Sequence, residues 1–289
     1  MEAVAPVVVA PARTGVRRFV ARHPTVILGL ALLLLIAVAS IAAPLLFTVD
    51  PVMINPARRL RDPAPEYWFG TDRFGRDMWS RVIYGGRISL VVGFSVAALS
   101  TVIGLAIGLT AGFLRGVDSI VMRVMDGMMA IPAIMLAIAL IALSKAGIGI
   151  VIIAVTIPEV PRVVRLVRSV VLTIREQPYI EAARAVGTKV PYILWRHVLP
   201  NAVPPLIVQS TYICASAVLI EAALSFLGVG IPPEIPSWGN IMAESRPYFQ
   251  LKPAMVLLPG VFLAVTVLAI NLVGDGLRDM LDPRLARRM

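Results

Sequence analysis

Apolar residues gather in six long runs, at roughly 25–47, 89–114, 120–143, 147–167, 203–228 and 254–277, separated by polar and charged blocks. A helix crossing a hydrocarbon core of about 30 Å needs about 20 mostly apolar residues, so the pattern predicts six transmembrane helices in an all-α membrane protein. The fourth run is the most interrupted, with Pro158, Glu159 and Pro161 in its last third. Prolines also mark the other runs, as Pro44, Pro132, Pro204, Pro205 and Pro259, which membrane spans tolerate because neighbours re-satisfy the freed carbonyls. The first run follows Arg13, Arg17, Arg18 and Arg22. It exceeds the 7–15-residue apolar region of a cleaved leader and therefore reads as an uncleaved anchor.

The organisation expected is an N-terminal tail over 1–24, a first span over 25–47, and a loop over 48–88 with a short interfacial helix. A core over 89–277, containing a segment at 168–202, and a tail over 278–289 follow. Segments 48–88, 168–202 and 229–252 are longer than ordinary connections, so function is expected there.

Composition fits this layout. Of the 289 residues 58% are hydrophobic and 15% charged, with a mean hydropathy of +0.85. Soluble domains carry about 45–50% apolar and about 25% charged residues, which argues against a soluble enzyme. The net charge is +10, and 17 of the 27 Lys and Arg fall in the two tails, the 115–119 turn with Arg123 and the 162–202 segment, taken as one side. The positive-inside rule then puts both termini in the cytoplasm and the 48–88 and 229–252 loops outside. One cysteine, Cys214, and two distant histidines, His23 and His197, build neither a disulfide framework nor a Cys/His metal site. The chain has no GxxxxGK[ST] phosphate loop and so does not bind ATP in that way.

The 168–202 segment reads as an amphipathic hairpin. Pro178 suits a first helical turn, and Tyr179, Ala182, Ala183 and Val186 recur at helical spacing as one apolar face. Gly187 suits a left-handed helix end, Pro191 opens a second helix, and Pro200 is expected to stop it. The four arginines and lysines around it, Arg175, Arg184, Lys189 and Arg196, would equally suit a helix lying on anionic lipid.

Other patterns carry weaker chemistry. Gly104, Gly108 and Gly112 form overlapping GxxxG patterns expected to pack closely against another helix. On the fifth run Ser210, Cys214, Ala217, Glu221 and Ser225 make a small and polar stripe, flanked by Gln209, Tyr212 and Ser216. Such a stripe either packs on a helix or lines a water-filled path, and Glu221 is expected at the outer mouth. Asp72 is placed to satisfy backbone donors in the turn bracketed by Gly70 and Gly75. Asp77 is spaced to pair with Arg81, and Arg123 with Asp126. Trp68, Trp79, Tyr84, Trp238 and Tyr248 are expected as interface anchors.

Several of these stretches together resemble one family. Glu181-Ala182-Ala183, Gly187 and Leu199-Pro200 keep the spacing of the EAA loop of binding-protein-dependent ABC importers, with His197 where the pattern has Ile. Gly70-Thr71-Asp72 and Gly75-Arg76-Asp77 resemble the dipeptide/oligopeptide branch. So do Glu221 to Gly230 with Pro236-Ser237-Trp238-Gly239, and Asn271, Gly274-Asp275, Leu277-Arg278-Asp279 and Leu281-Asp282-Pro283. The ending resembles the C-type permease of the pair. The resemblance implies a type I importer permease of the bacterial inner membrane whose EAA hairpin couples to an ATPase. It implies a second homologous permease, two cytoplasmic ABC ATPase subunits holding ATP and Mg, and an extracytoplasmic substrate-binding protein. No cofactor, catalytic residue or nucleic acid is expected on this chain. Di- or oligopeptides are the expected cargo, with nickel chelates, glutathione or sugars as the alternatives within the class. An ATP-independent secondary transporter is the rival outside it.

Overall fold

In lipid an apolar segment has no partner for its backbone except itself, and the chain meets that demand with helices. The computed structural model describes residues 23–144 and 147–281, so expectations for the tails and for Lys145 fall partly or wholly outside the described residues. In chain order the helices are α1 Pro24–Ile41, α2 Met78–Phe113, α3 Arg115–Met129, α4 Ala133–Ala142 and α5 Ile148–Arg175. They continue with α6 Pro178–Ala185, α7 Val190–Phe226, α8 Trp238–Ser245 and α9 Ala254–Leu281.

Four helices, α1, α2, α7 and α9, are long and apolar enough to cross a membrane, and five if α3 and α4 make one broken span. These two meet at an 88° bend around Pro132. Pro132 has no amide to donate and biases Ile131 away from helical geometry, so the third run breaks there. α5 continues through Pro158 and Pro161 to Arg175, and its Glu159, Arg162 and Arg165 make it less apolar than the other spans.

Three boundaries differ from those expected. α1 stops at Ile41 instead of 47, where a 3-10 turn at Ala43–Leu45 containing Pro44 redirects the chain. Arg87 holds that end, donating from Nη2 to Ile41 O at 2.7 Å and from Nε to Ser40 O, a cation placed on free carbonyls. α2 begins at Met78 instead of 89, so the interfacial helix expected in the 48–88 loop is the N-terminal end of α2 itself. Its 36 residues rise about 54 Å, more than the bilayer core requires. The remainder of the loop is turns, with a 3-10 turn at Pro56–Arg58 and bridges Ala64 to Tyr67 and Thr71 to Asp77. Third, Pro200 does not end the second hairpin helix. A π segment at Leu194–Val198 shifts the ladder, with Leu199 N–H donating to Leu194 O, and the helix runs on into the fifth span. The side-chain amide of Asn201 donates to His197 O at 2.7 Å.

α2 and α5 share the most extensive packing, α9 lies on α1 and α7, and α8 wedges among α7, α9 and α2. The glycine row of α2 faces a valine row of α5. A Cβ added at Gly108 or Gly112 would lie 2.7 Å from the Cβ of Val167 or Val171, and Gly104 sits more tightly still against Val163. The close approach expected from the GxxxG spacing is therefore made, with α5 as the partner. Trp238 is not an interface anchor: it is fully buried and its indole donates to Val82 O at 3.0 Å, locking α8 to α2. Beside it, the Asn240 side-chain amide donates to Ile231 O, Pro232 O and Ile235 O and holds the proline-rich 229–236 loop in place.

Candidate functional site

The hairpin is built from local signals. After α6, Gly187 takes a left-handed φ of +79°. Gly187 N–H donates to Arg184 O at 2.9 Å and Thr188 N–H to Ala183 O at 3.0 Å, which closes the helix end. Ile180, Ile193 and Val198 are fully buried and tie the hairpin to the bundle, while Tyr179 packs its ring on His197 with centroids 5.8 Å apart. The position that departs from the family pattern thus fastens the two arms to each other. Arg184 lies 4.9 Å over the Phe113 ring, and Arg175 donates to Gly112 O at 3.1 Å, joining the hairpin to the end of α2.

The expected apolar face of α6 points outward. Tyr179, Ala182 and Val186 are exposed with Glu181 and Gly187, and Ile180 is the inward anchor instead; Ala183 is half-buried. The second arm adds Tyr192 and Trp195, 58% and 74% exposed, with Leu199 half-buried and Pro200 exposed beside them. Sequence reasoning missed Trp195, although its spacing of three from Tyr192 already put both rings on one helical face. These exposed apolar side chains, with Glu181, Arg184 and Arg196 on the same arms, have the composition of a protein-docking surface.

The polar stripe on α7 divides. Cys214, Ala217, Glu221 and Ser225 are buried packing residues. Glu221 is fully buried and is not at an open mouth: it accepts from Ser89 Oγ at 3.0 Å and Ser225 Oγ at 2.9 Å. Ser210 and Cys214 line an apolar cavity of about 380 Å³ among α1, α2, α7 and α9. Gln209 and Tyr212 turn elsewhere, lining a more polar cavity of about 480 Å³ with Leu166 of α5 and Arg278 of α9. Ser216 lies above it, within 3.5 Å of Glu159. Glu159, fully buried and 3.1 Å from half-exposed Arg162, was not among the expected site residues; its place between two prolines in an apolar run was the available signal.

Neither expected ion pair forms. Asp72 does satisfy backbone donors, accepting from Phe74 N and Arg76 N at 2.8 and 2.9 Å. Asp77, however, caps α2 by accepting from Ser80 N at 2.8 Å and does not pair with Arg81. Arg81 and Arg76 both bridge Asp72 and Glu244, with Arg81 Nη1 at 2.7 Å from Asp72 Oδ2 and 2.8 Å from Glu244 Oε2, in a buried four-charge cluster. Asp126 pairs with Arg165 of α5 at 2.5 Å instead of with Arg123, which is exposed and makes no ion pair among the described residues. Asp118 takes both prongs of Arg168 at 2.5 and 2.7 Å. Asp275 accepts from the Tyr212 hydroxyl, Arg278 borders the Tyr212 cavity, and Asp279 is exposed.

Residues 69–287 match the family described as binding-protein-dependent transport system inner membrane component. The chain belongs to that family. It is 55% identical over 271 residues to a probable peptide ABC transporter permease protein of Sinorhizobium fredii, covering 94% of this chain and 93% of that one. It is 42% identical to a dipeptide transport system permease protein of Alkalihalophilus pseudofirmus, over 91% and 87% of the two chains. A glutathione transport system permease protein of Pectobacterium atrosepticum is 40% identical over 95% and 92%. The fold matches a chain of the inward-facing MetNI methionine ABC transporter with a TM-score of 0.56, at 22% identity, over 71% of this chain and 98% of that one. This chain is thus an inner-membrane transport component with the fold of such permeases.

Proposed function

We propose that this chain is the permease subunit of an ATP-driven importer that carries di- or oligopeptides across the inner membrane. One observation carries the reading: the exposed Tyr192–Trp195 patch sits on the same unbroken helix, α7, that carries Gln209, Tyr212 and Ser216. A partner that moves the patch therefore moves the residues bordering the 480 Å³ cavity without an intervening hinge loop. Peptide cargo follows the printed names of the relatives, and glutathione is itself a small peptide.

In this reading both termini are cytoplasmic, and α5 and the bent α3–α4 pair complete six spans, with Glu159 turned away from lipid. ATP and Mg are held by two cytoplasmic ATPase subunits, one of which takes the hairpin into a groove, the chain itself catalysing no reaction. A second permease closes the other half of the path, and an extracytoplasmic binding protein delivers the cargo. Gln209, Tyr212 and Ser216 line the path, while Glu221 and Ser225 hold its wall. Moving a two-state gate from 1:99 to 99:1 takes about 5.5 kcal/mol of differential binding.

Gentle purification of the tagged chain from its own membranes, with partners identified by mass, tests the proposal. Recovery with a second permease, two ATPase chains and peptide-stimulated ATP hydrolysis is expected. Recovery alone, with transport that ignores ATP, would overturn it.

A further inference from the structure

A small cavity of about 210 Å³ lies at the outer end of α2, lined by Phe47, Pro65, Glu66, Trp68, Asp77 and Trp79. Its aromatic side is one continuous wall: the Phe47 and Trp68 centroids are 6.2 Å apart, and those of Trp68 and Trp79 are 5.2 Å apart. The wall is fixed from behind, because Trp79 Nε1 donates to Leu46 O at 3.0 Å and Phe69 meets the Trp79 ring edge-on at 5.0 Å. Phe47 is presented from a left-handed backbone with φ +54°, which side-chain-bearing residues rarely adopt and which often marks a functional position.

Two acidic residues, Asp77 and Glu66, complete the cavity lining. Asp77 is 7% exposed, and its Oδ2 is spent on capping α2 through Ser80. Its Oδ1 is buried with no hydrogen-bond partner, an acceptor that should not stay empty. Glu66 stands exposed at the rim. Interface-anchoring tryptophans need no buried carboxylate beside them, so anchoring alone leaves this arrangement unexplained. Aromatic faces attract cations, and an orphan carboxylate oxygen asks for an N–H donor. Both demands are met by a primary ammonium group, and only the second fails for a quaternary one. The volume falls below the about 300 Å³ of pockets that enclose drug-sized ligands, so the site fits an aminoethyl-sized terminus and not a whole peptide.

We propose that this cavity binds a primary ammonium group. The amine belongs either to the amino terminus of a peptide or to an ethanolamine lipid headgroup. The inference rests on the cavity's chemistry and not on the cargo assigned above.

The test uses the chain purified with its co-purifying partners in phosphatidylcholine and phosphatidylglycerol nanodiscs, read by tryptophan fluorescence during titration with methylammonium. Saturable binding is expected, with affinity weakened about tenfold for tetramethylammonium, which keeps the cation–π attraction but lacks the donor. Glu66→Gln, an exposed change with little folding risk, and Asp77→Asn, which retains an acceptor for the helix cap, should each weaken methylammonium several-fold. Trp68→Leu should remove the signal. Dialanine competing where N-acetyl-dialanine does not assigns the peptide terminus. Loss of methylammonium binding in discs containing phosphatidylethanolamine assigns the headgroup. A response that does not saturate, equal affinity for the two cations, or unchanged binding in both carboxylate variants overturns the proposal.

Discussion

Gly112→Ala tests the α2–α5 seam directly. The three atoms nearest the added Cβ all belong to Val171, at 2.7 Å for its Cβ, 2.9 Å for Cγ1 and 3.2 Å for Cγ2. Carbon atoms pack at about 3.5–4.0 Å, so the helices must part by about 1 Å. That end of α2 is not free to move off, because Arg175 donates to Gly112 O and Arg184 lies over Phe113. Overpacking costs about 1–3 kcal/mol, and alanine returns up to about 1 kcal/mol of helix propensity. A net loss of about 1–2 kcal/mol is expected, read as a fall on the order of 4 °C in the apparent unfolding midpoint. Scans at one fixed rate in one detergent keep the comparison sound, since such unfolding is irreversible. Because the three nearest atoms all belong to Val171, the effect should largely vanish in a Val171→Gly background. It should persist with Val171→Ala, where the offending Cβ remains. An equal cost of Gly112→Ala in all three backgrounds would refute the packing argument.

Glu244→Ala leaves Arg76 and Arg81 sharing one carboxylate in a buried site, and should lower stability by about 3 kcal/mol; an unchanged midpoint would show that water reaches the cluster. Asp126→Asn breaks a pair whose side chains are 58% and 44% exposed, and should change the midpoint by no more than about 0.5 kcal/mol of stability. A Cβ added at Gly187 meets no atom within 4 Å, so the left-handed backbone is the expected source of a cost of about 1–2 kcal/mol for Gly187→Val. It should cut peptide-stimulated ATP hydrolysis in the purified assembly while the chain remains in the membrane, with Gly187→Asn milder; full stimulation in the valine variant would contradict this.

Features governed by a few neighbouring residues were legible in the sequence. The apolar runs located the long helices, Gly187 marked the helix end, and the glycine row announced a close helix contact. Partner choice was not legible. Arg81 has Asp77 four residues away, yet it binds Glu244, 163 residues distant, because α8 packs against α2 and brings Glu244 within reach. Asp126 passes over Arg123 for Arg165 because α3 lies alongside α5. Pro200 looked like a stop signal, and the π segment before it removed the conflict with the helical ladder.

The candidate sites divide in the same way. The hairpin's position and its two arms follow from proline, glycine and periodicity. Which face of the hairpin is free depends on Ile180 and Ile193 finding the bundle and leaving Tyr192 and Trp195 outside. Glu221 read as a residue of an open mouth until Ser89, 132 residues away, enclosed it. The sequence by itself determined where this chain is apolar and that Gly187 closes a helix, since those preferences act within one or two turns. Only the tertiary structure decided which buried charges meet and which polar stripe packs. Those choices depend on the rotational phase of each helix against neighbours far away in the chain.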